Sequence, residues 1–313
     1  MTDLPALFIP IAAFILGLCI GSFLNVCILR VPKGQSVVHP ASRCPKCGVE
    51  IRWFDNIPVL SWLALGGRCR NRQCRALISI QYPLVELLTG VLFSLTAWRF
   101  GMTLEAGKWL ALFCILVVHI VTDMRERFLS YHMNRAGFAA GLALSAIVPV
   151  NDGAALALAL RIFEFPPPAA VVGVADALLG ALLGAGMLWI VSEGYFRITG
   201  RSGMGLGDVY LMGMVGAFLG LKRTFLTILL GSVLGSILGI GVVVLLYATG
   251  WKSDVAERAH RRGLGNAGAL RFALARRYPL PFGTYLGIAA VLVVFYGTWF
   301  LERYTQWMEQ VSS

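Results

Sequence analysis

The feature that most constrains this chain is a series of apolar runs too long for a water-soluble core. Eight follow one another: Leu4–Leu29, Ile80–Trp98, Trp109–Thr122, Met133–Val150, Val171–Phe196, Val209–Leu221, Thr224–Thr249 and Leu280–Leu301. A helix of about 20 residues crosses the hydrocarbon layer, and only helices or closed barrels satisfy their backbone there. The runs therefore predict an all-α membrane protein of about eight transmembrane helices. The third and sixth are short for a full crossing, and a count of seven results if one is merged or dropped. At 58% hydrophobic residues the chain exceeds the roughly 45–50% of soluble domains. Its 313 residues leave no room for a large soluble domain. The first run has no basic segment before it and reads as a retained span rather than a secretory signal.

The net charge of +11 invites a nucleic-acid reading, but the basic residues sort by loop. With eight spans, segments 30–78, 123–135, 197–208 and 251–279 share one side and carry 21 of the 27 lysines and arginines. Positive loops stay inside. That side is then cytoplasmic, both termini lie outside, and no nucleic acid is called for. The membrane itself is the expected polyanionic neighbour of the Arg-rich 251–279 loop. Gly263-Leu264-Gly265-Asn266-Ala267-Gly268 in that loop has the spacing of a dinucleotide fingerprint. No strand precedes it, and it is set aside.

Between the first two spans lie Cys44-Pro45-Lys46-Cys47 and Cys69-Arg70-Asn71-Arg72-Gln73-Cys74. Two close cysteine pairs, Cys47 and Cys69 being 22 positions apart, suit a four-thiolate structural zinc site. The segment between them is too poor in apolar residues to fold alone, so metal binding would supply what its core lacks. Two disulfides, disfavoured in a reducing cytosol, and inert thiols are the competing readings. Cys19, Cys27 and Cys114 lie in or beside spans as packing residues.

Carboxylates at membrane depth are costly and usually serve a function or a partner. Asp208 closes Gly203-Met204-Gly205-Leu206-Gly207-Asp208, and Asp123 ends the third run; both fall on the cytoplasmic edge. Alternating glycines remove the side chains that would hold an extended peptide away from Asp208. The plain alternative is a Gly-rich turn with an Asp N-cap, and for Asp123 a charged flank. Glu86 either lines a polar cavity or pairs with a neighbouring span. His119, four residues before Asp123, either tunes it or is hydrogen-bonded within the bundle. Asp176 and Glu193 have no evident partner, and Ala154–Ala170, with its Pro166-Pro167-Pro168, reads as an outside loop.

Taken in order, several segments resemble one family. They are Gly21-Ser22-Phe23-Leu24-Asn25-Val26, the cysteine loop, Ile78-Ser79, Tyr82-Pro83-Leu84-Val85-Glu86, the Asp123 segment, Gly203 to Asp208, and Pro281-Phe282-Gly283. The chain resembles the type IV prepilin peptidases, bifunctional leader peptidases and N-methyltransferases of bacterial inner membranes. The resemblance implies an eight-span GxGD-type aspartic protease with Asp123 and Asp208 as catalytic aspartates and Gly205 and Gly207 as motif backbone. It implies type IV prepilins or pseudopilins as substrates, cut before their hydrophobic helix, and S-adenosylmethionine as methyl donor. No motif marks the donor pocket. The implied organisation is a first helix (1–29), a cysteine loop (30–78) and a seven-helix core (79–313). A peptidase without methyl transfer, a GxGD-type protease of another substrate class, a proton-coupled transporter and a structural secretion component with a zinc loop are the alternatives.

Three places depart from the family pattern. Four residues, not two, separate Cys69 from Cys74. Leu129-Ser130-Tyr131 stands where Ile-Pro-Asp/Asn is common, and Tyr210 where a Lys often follows the catalytic Asp.

Overall fold

The computed structural model describes residues 4–150, 153–162, 167–201, 203–248 and 281–312. The basic 251–279 loop and its Gly263–Gly268 stretch lie outside the described residues. Ten α-helices follow in order among those described: α1 (Leu4–Arg30), α2 (Leu60–Ala64), α3 (Gln81–Phe100), α4 (Leu104–Glu126), α5 (Tyr131–Ile147), α6 (Ala154–Ile162), α7 (Ala169–Thr199), α8 (Leu206–Leu219), α9 (Leu221–Ala248) and α10 (Phe282–Ser312). No β-strand occurs among the described residues, only two isolated bridges in the cysteine loop.

Each apolar run coincides with one helix, and six of these are long and apolar enough to cross a membrane. The chain is a multi-pass membrane protein. The third run belongs to a 23-residue helix, so its expected shortness is corrected: polar Thr103, Glu105 and Lys108 hid the start of α4. Thr103 caps that start by accepting the Ala106 N–H at 3.2 Å. The sixth run is indeed short, with 14 residues in α8. The fourth ends at Ile147, leaving 17 residues in α5. Ala154–Ala170 is not simply a loop, for it contains α6. Asp176 explains this: buried in α7, it accepts the Ala155 N–H at 2.8 Å and caps α6 from another helix.

Small residues set the closest crossings. A Cβ on Gly17 or Gly21 of α1 would lie 2.8 Å from the Gly90 Cα or 2.7 Å from the Glu86 Cα of α3. Gly180 of α7 and Gly216 of α8 meet backbone to backbone in the same way. Among membrane helices, whose surroundings are as apolar as their side chains, such close backbone packing is a main source of association. Helix α8 is the centre of the bundle. Leu211 through Leu219 are all buried, against α5, α7, α9 and α10. A short helix so enclosed is flanked by protein rather than lipid along most of its length.

Polar contacts fix which helix ends lie together. Arg125 at the end of α4 donates to Gln81 at the start of α3 at 2.7 Å, and Thr284 at the start of α10 bonds Asp123 of α4. At the other end Lys108 Nζ donates to the Val148 carbonyl at 3.0 Å and Arg223 to Thr298 at 3.0 Å. The cysteine loop, the α4–α5 turn and the approach to α8 therefore share one end of the bundle.

Candidate active site

Asp123 occupies the last turn of α4, which Arg127 ends in a left-handed conformation (φ 52°, ψ 41°) with its N–H on the Asp123 carbonyl. Asp208 lies in the first turn of α8. It is not the N-cap: that position is Gly205, extended at φ −77° and ψ 143°, and no side chain caps the helix. The N-cap reading of Asp208 is thereby corrected. Its carboxylate sits where a helix N-terminus favours negative charge.

The two carboxylates converge on Gly283, the second residue of α10. A Cβ built there would lie 3.0 Å from Asp208 Oδ1, 3.1 Å from Asp123 Oδ2 and 2.9 Å from Leu129 Cδ1. Any larger residue there would press on both acids and on Leu129. Next to it, Thr284 donates its N–H to Asp123 Oδ2 at 2.7 Å and its hydroxyl to the same oxygen at 3.0 Å. Asp123 thus caps α10 from across the bundle while the first turn of α10 orients Asp123. Both aspartates are almost closed off, at 5% and 8% exposure.

The motif glycines act by closeness rather than by unusual dihedrals; none has a positive φ. Gly203 packs on the Tyr195 ring and Gly207 on Leu129, whose Cβ would be 3.0 Å from an added methyl. At Gly205 an added Cβ would find, among the described residues, only Asp208 Oδ2 and the Gly207 nitrogen, both at 3.8 Å. The space beside the Asp208 carboxylate is therefore kept open on the Gly205 side.

Sequence reasoning did not assign the Gly283–Thr284 pair a role. The available signal was Pro281-Phe282-Gly283-Thr284 opening an apolar run at the end that holds Asp123. Glu86 pairs with a neighbouring span, the second of the two readings, through the Ser22 side chain of α1, and its Oε2 also accepts the Val59 N–H of the cysteine loop at 2.7 Å. His119 is fully buried and has the Asn134 side chain of α5 as its polar partner within the bundle, the second of the two readings. Glu193 forms an i,i+4 ion pair with Arg197 at 2.8 Å.

The cysteine loop brings its four thiols together. All cysteines are free, and the ligand atoms of Cys44, Cys47, Cys69 and Cys74 lie within 4.8 Å of one another. Cys44–Cys74 and Cys47–Cys69 stand at 4.0 and 3.9 Å. A tetrahedral zinc with bonds of about 2.3 Å has sulfur–sulfur edges of about 3.8 Å, so the donor set fits. Each pair sits in a tight turn closed from its first cysteine, Cys44 N–H to Val49 O and Cys69 N–H to Ala76 O. In each, a positive φ follows the second cysteine, 70° at Gly48 and 41° at Arg75. The longer second spacing is absorbed by an Asx turn in which Asn71 Oδ1 accepts the Gln73 N–H at 3.0 Å. The Cys44 thiol is lowered to about 6 by the Cys47 and Lys46 N–H groups that point at it. That leaves a thiolate ready for a cation.

Residues 15–100 match the bacterial peptidase A24 N-terminal domain, and residues 110–240 match the type IV leader peptidase family. A prepilin leader peptidase/N-methyltransferase of Pseudomonas aeruginosa is 32% identical across 95% of this chain and 93% of its own length. The chain belongs to the type IV leader peptidase family. Proteins of the same name from Xanthomonas campestris, 34% identical over 96% of this chain and 95% of theirs, and from Myxococcus xanthus, 39% over 85% and 72%, are further relatives. No solved structure matches the chain. The other two departures from the usual pattern of type IV leader peptidases meet in space: the rings of Tyr131 and Tyr210 stand edge to face at 4.9 Å.

Proposed function

We propose that this leader peptidase cleaves the short leader from type IV prepilins or pseudopilins and then N-methylates the new terminus, with Asp123 and Asp208 as its catalytic pair. The observation that carries this reading is the convergence of the two carboxylates on Gly283, in a chain that shares its length with named prepilin leader peptidase/N-methyltransferases. Two carboxylates at one site titrate as a unit and share a proton. The charged member takes a proton from water as it attacks the scissile carbonyl; the neutral member hydrogen-bonds or protonates the carbonyl oxygen. Thr284 holds one Asp123 oxygen by two donors and leaves the other for this work. The open side of Gly205 gives an extended peptide backbone room beside Asp208.

The eight helices that coincide with apolar runs serve as eight spans, α5 and α8 crossing with help from their neighbours. The organisation is a first helix (1–29), a loop (30–78) and a seven-helix core (79–313) that includes the basic 251–279 segment. The charge distribution supports an inner-membrane orientation with the aspartates at the cytoplasmic face and both termini periplasmic. There the leader, short and basic, meets the carboxylates at the membrane edge. Cys44, Cys47, Cys69 and Cys74 hold one structural zinc, which ties the two turns of the loop into a unit. S-adenosylmethionine supplies the methyl group, and the loop stands where an amine freed beside the aspartates would meet a donor arriving from the cytosol. Incubating the purified protein with a prepilin and S-adenosylmethionine, and weighing both products, tests this directly. A free leader and a mature chain heavier by one methyl group are expected; an intact prepilin contradicts the assignment.

A further inference from the structure

Val59 has a backbone that its side chain resists. It stands at φ 61° and ψ −51°, and the N–H of Leu60 closes on the carbonyl of Pro58 at 2.6 Å. This is the positive-φ γ-turn, rare and strained, and rarer still at a β-branched residue. Such an outlier persists only where its surroundings hold it. Here the holder is Glu86, whose buried carboxylate accepts the Val59 N–H at 2.7 Å.

The depth of that anchor matters. Glu86 is the sixth residue of α3, about 8 Å along the helix from Gln81 at ~1.5 Å per residue. On the other side α1 presses against it at Gly21, nine residues and about 13 Å before Arg30 at the same rise. The loop thus does not arch away from the bundle between its ends; its middle is drawn back alongside two membrane helices. Immediately beyond Val59, α2 exposes Leu60 at 65% and Leu63 at 61%, with Ile57 at 41% just before. Segment 30–78 carries nine lysines and arginines against Glu50 and Asp55. Both acids are already taken, Glu50 by Arg43 and Asp55 by Arg70.

We propose that Ile57–Ala64 is a membrane-interface anchor. Ile57, Leu60 and Leu63 insert among the lipids of the leaflet in which α1 ends and α3 begins. The surplus basic residues of the loop face anionic headgroups, and Glu86, through Val59, fixes the depth of insertion. Apolar side chains bordered by positive charge at headgroup level are what an interfacial segment requires. The cysteine turns are then carried on a shelf pinned at three points, at the two helix ends and at Val59.

The test places a photo-crosslinker on the full chain by Leu60→benzoylphenylalanine or Leu63→benzoylphenylalanine, with Glu50→benzoylphenylalanine as the control on the first cysteine turn. Each protein is reconstituted in nanodiscs of phosphatidylethanolamine and phosphatidylglycerol, illuminated without prepilin, and weighed. Lipid adducts at 60 and 63 several-fold above those at 50 are expected. Adducts no more frequent than the control, or formed only with a prepilin chain once one is added, overturn the proposal. The tether is read by combining Leu63→benzoylphenylalanine with a change at Glu86. Glu86→Gln keeps an acceptor for Val59 and should keep the adduct yield, whereas Glu86→Leu should bring it down to the control. Equal yields in those two variants would remove Glu86 from the proposal. The three single crosslinker positions decide the anchor even if Glu86→Leu does not fold.

Discussion

The two polar centres of this protein are built in opposite ways. The thiol cluster comes from two turns, each closed within eight residues and each positioning its own pair of cysteines. The carboxylate pair has no local frame: Asp123, Asp208 and Gly283–Thr284 come from three helix ends, and Asp123 and Thr284 are 161 positions apart. A centre of the first kind tolerates a change of spacing, as the Asn71 turn demonstrates. A centre of the second kind depends on the whole bundle and on single atoms where helices cross.

The sharpest break in this comparison is expected at the acids. Asp123→Asn and Asp208→Asn should each lower the cleavage rate by at least ~10²-fold, the usual range for losing a general acid or base. The double variant should be no slower than the slower single one, because the pair acts as a unit. Steady-state assay of all three proteins in one detergent checks this.

Gly283→Ala comes next. Its methyl group would enter the 3.0–3.1 Å space between the acids, so a loss of cleavage of about tenfold or more is expected without loss of the fold. Leu129, which crowds the same point, supplies the sharper test. Adding Leu129→Ala to Gly283→Ala should recover part of the rate, while a rate unchanged by the second substitution would mean that the acids themselves are displaced.

Replacing Cys47 and Cys74 together by Ser should abolish stoichiometric zinc while cleavage changes less than fivefold or so, since local order in the loop is separate from the helix ends that hold the acids. Metal analysis and cleavage measured on the same preparation provide the check. Equal loss of both would join the two centres into one. Methyl transfer should fall with the zinc.

The smallest effect is expected at the tyrosine contact. Tyr131→Ala or Tyr210→Ala removes an aromatic pair worth about 0.5–1.5 kcal/mol. Tyr131→Asp with Tyr210→Lys, which restores the residue types usual in the family, should be more stable than either single change. Thermal denaturation of the wild type, Tyr131→Asp, Tyr210→Lys and the double variant measures the coupling.

What could be read in the sequence divides along the same line. The cysteine cluster was legible because spacing is geometry when a turn closes on itself. The membrane class and the helix positions were legible because hydrocarbon leaves the backbone few options. Asp123 and Asp208 could be set on the same edge by counting spans, but their meeting on Gly283 could not, since nothing local links α4, α8 and α10. Glu86 was legible in part: a partner on a neighbouring span could be expected and Ser22 of α1 is one, but its second partner is a backbone N–H in a strained turn 27 positions away, and a backbone group carries no signature in sequence. Helix α6 was hidden in a proline-flanked segment because its cap, Asp176, comes from α7.

The central claim is that the paired aspartates, and not the cysteine loop, break the peptide bond. One measurement puts it to the test. Wild-type protein, Asp208→Asn and the Cys47→Ser, Cys74→Ser double variant are incubated with the same prepilin, and the released leader is quantified by mass spectrometry. Leader from the wild type and the cysteine variant, with none above background from a well-folded, zinc-loaded Asp208→Asn protein, is the predicted result. Leader release by Asp208→Asn at a rate near that of the wild type would contradict it.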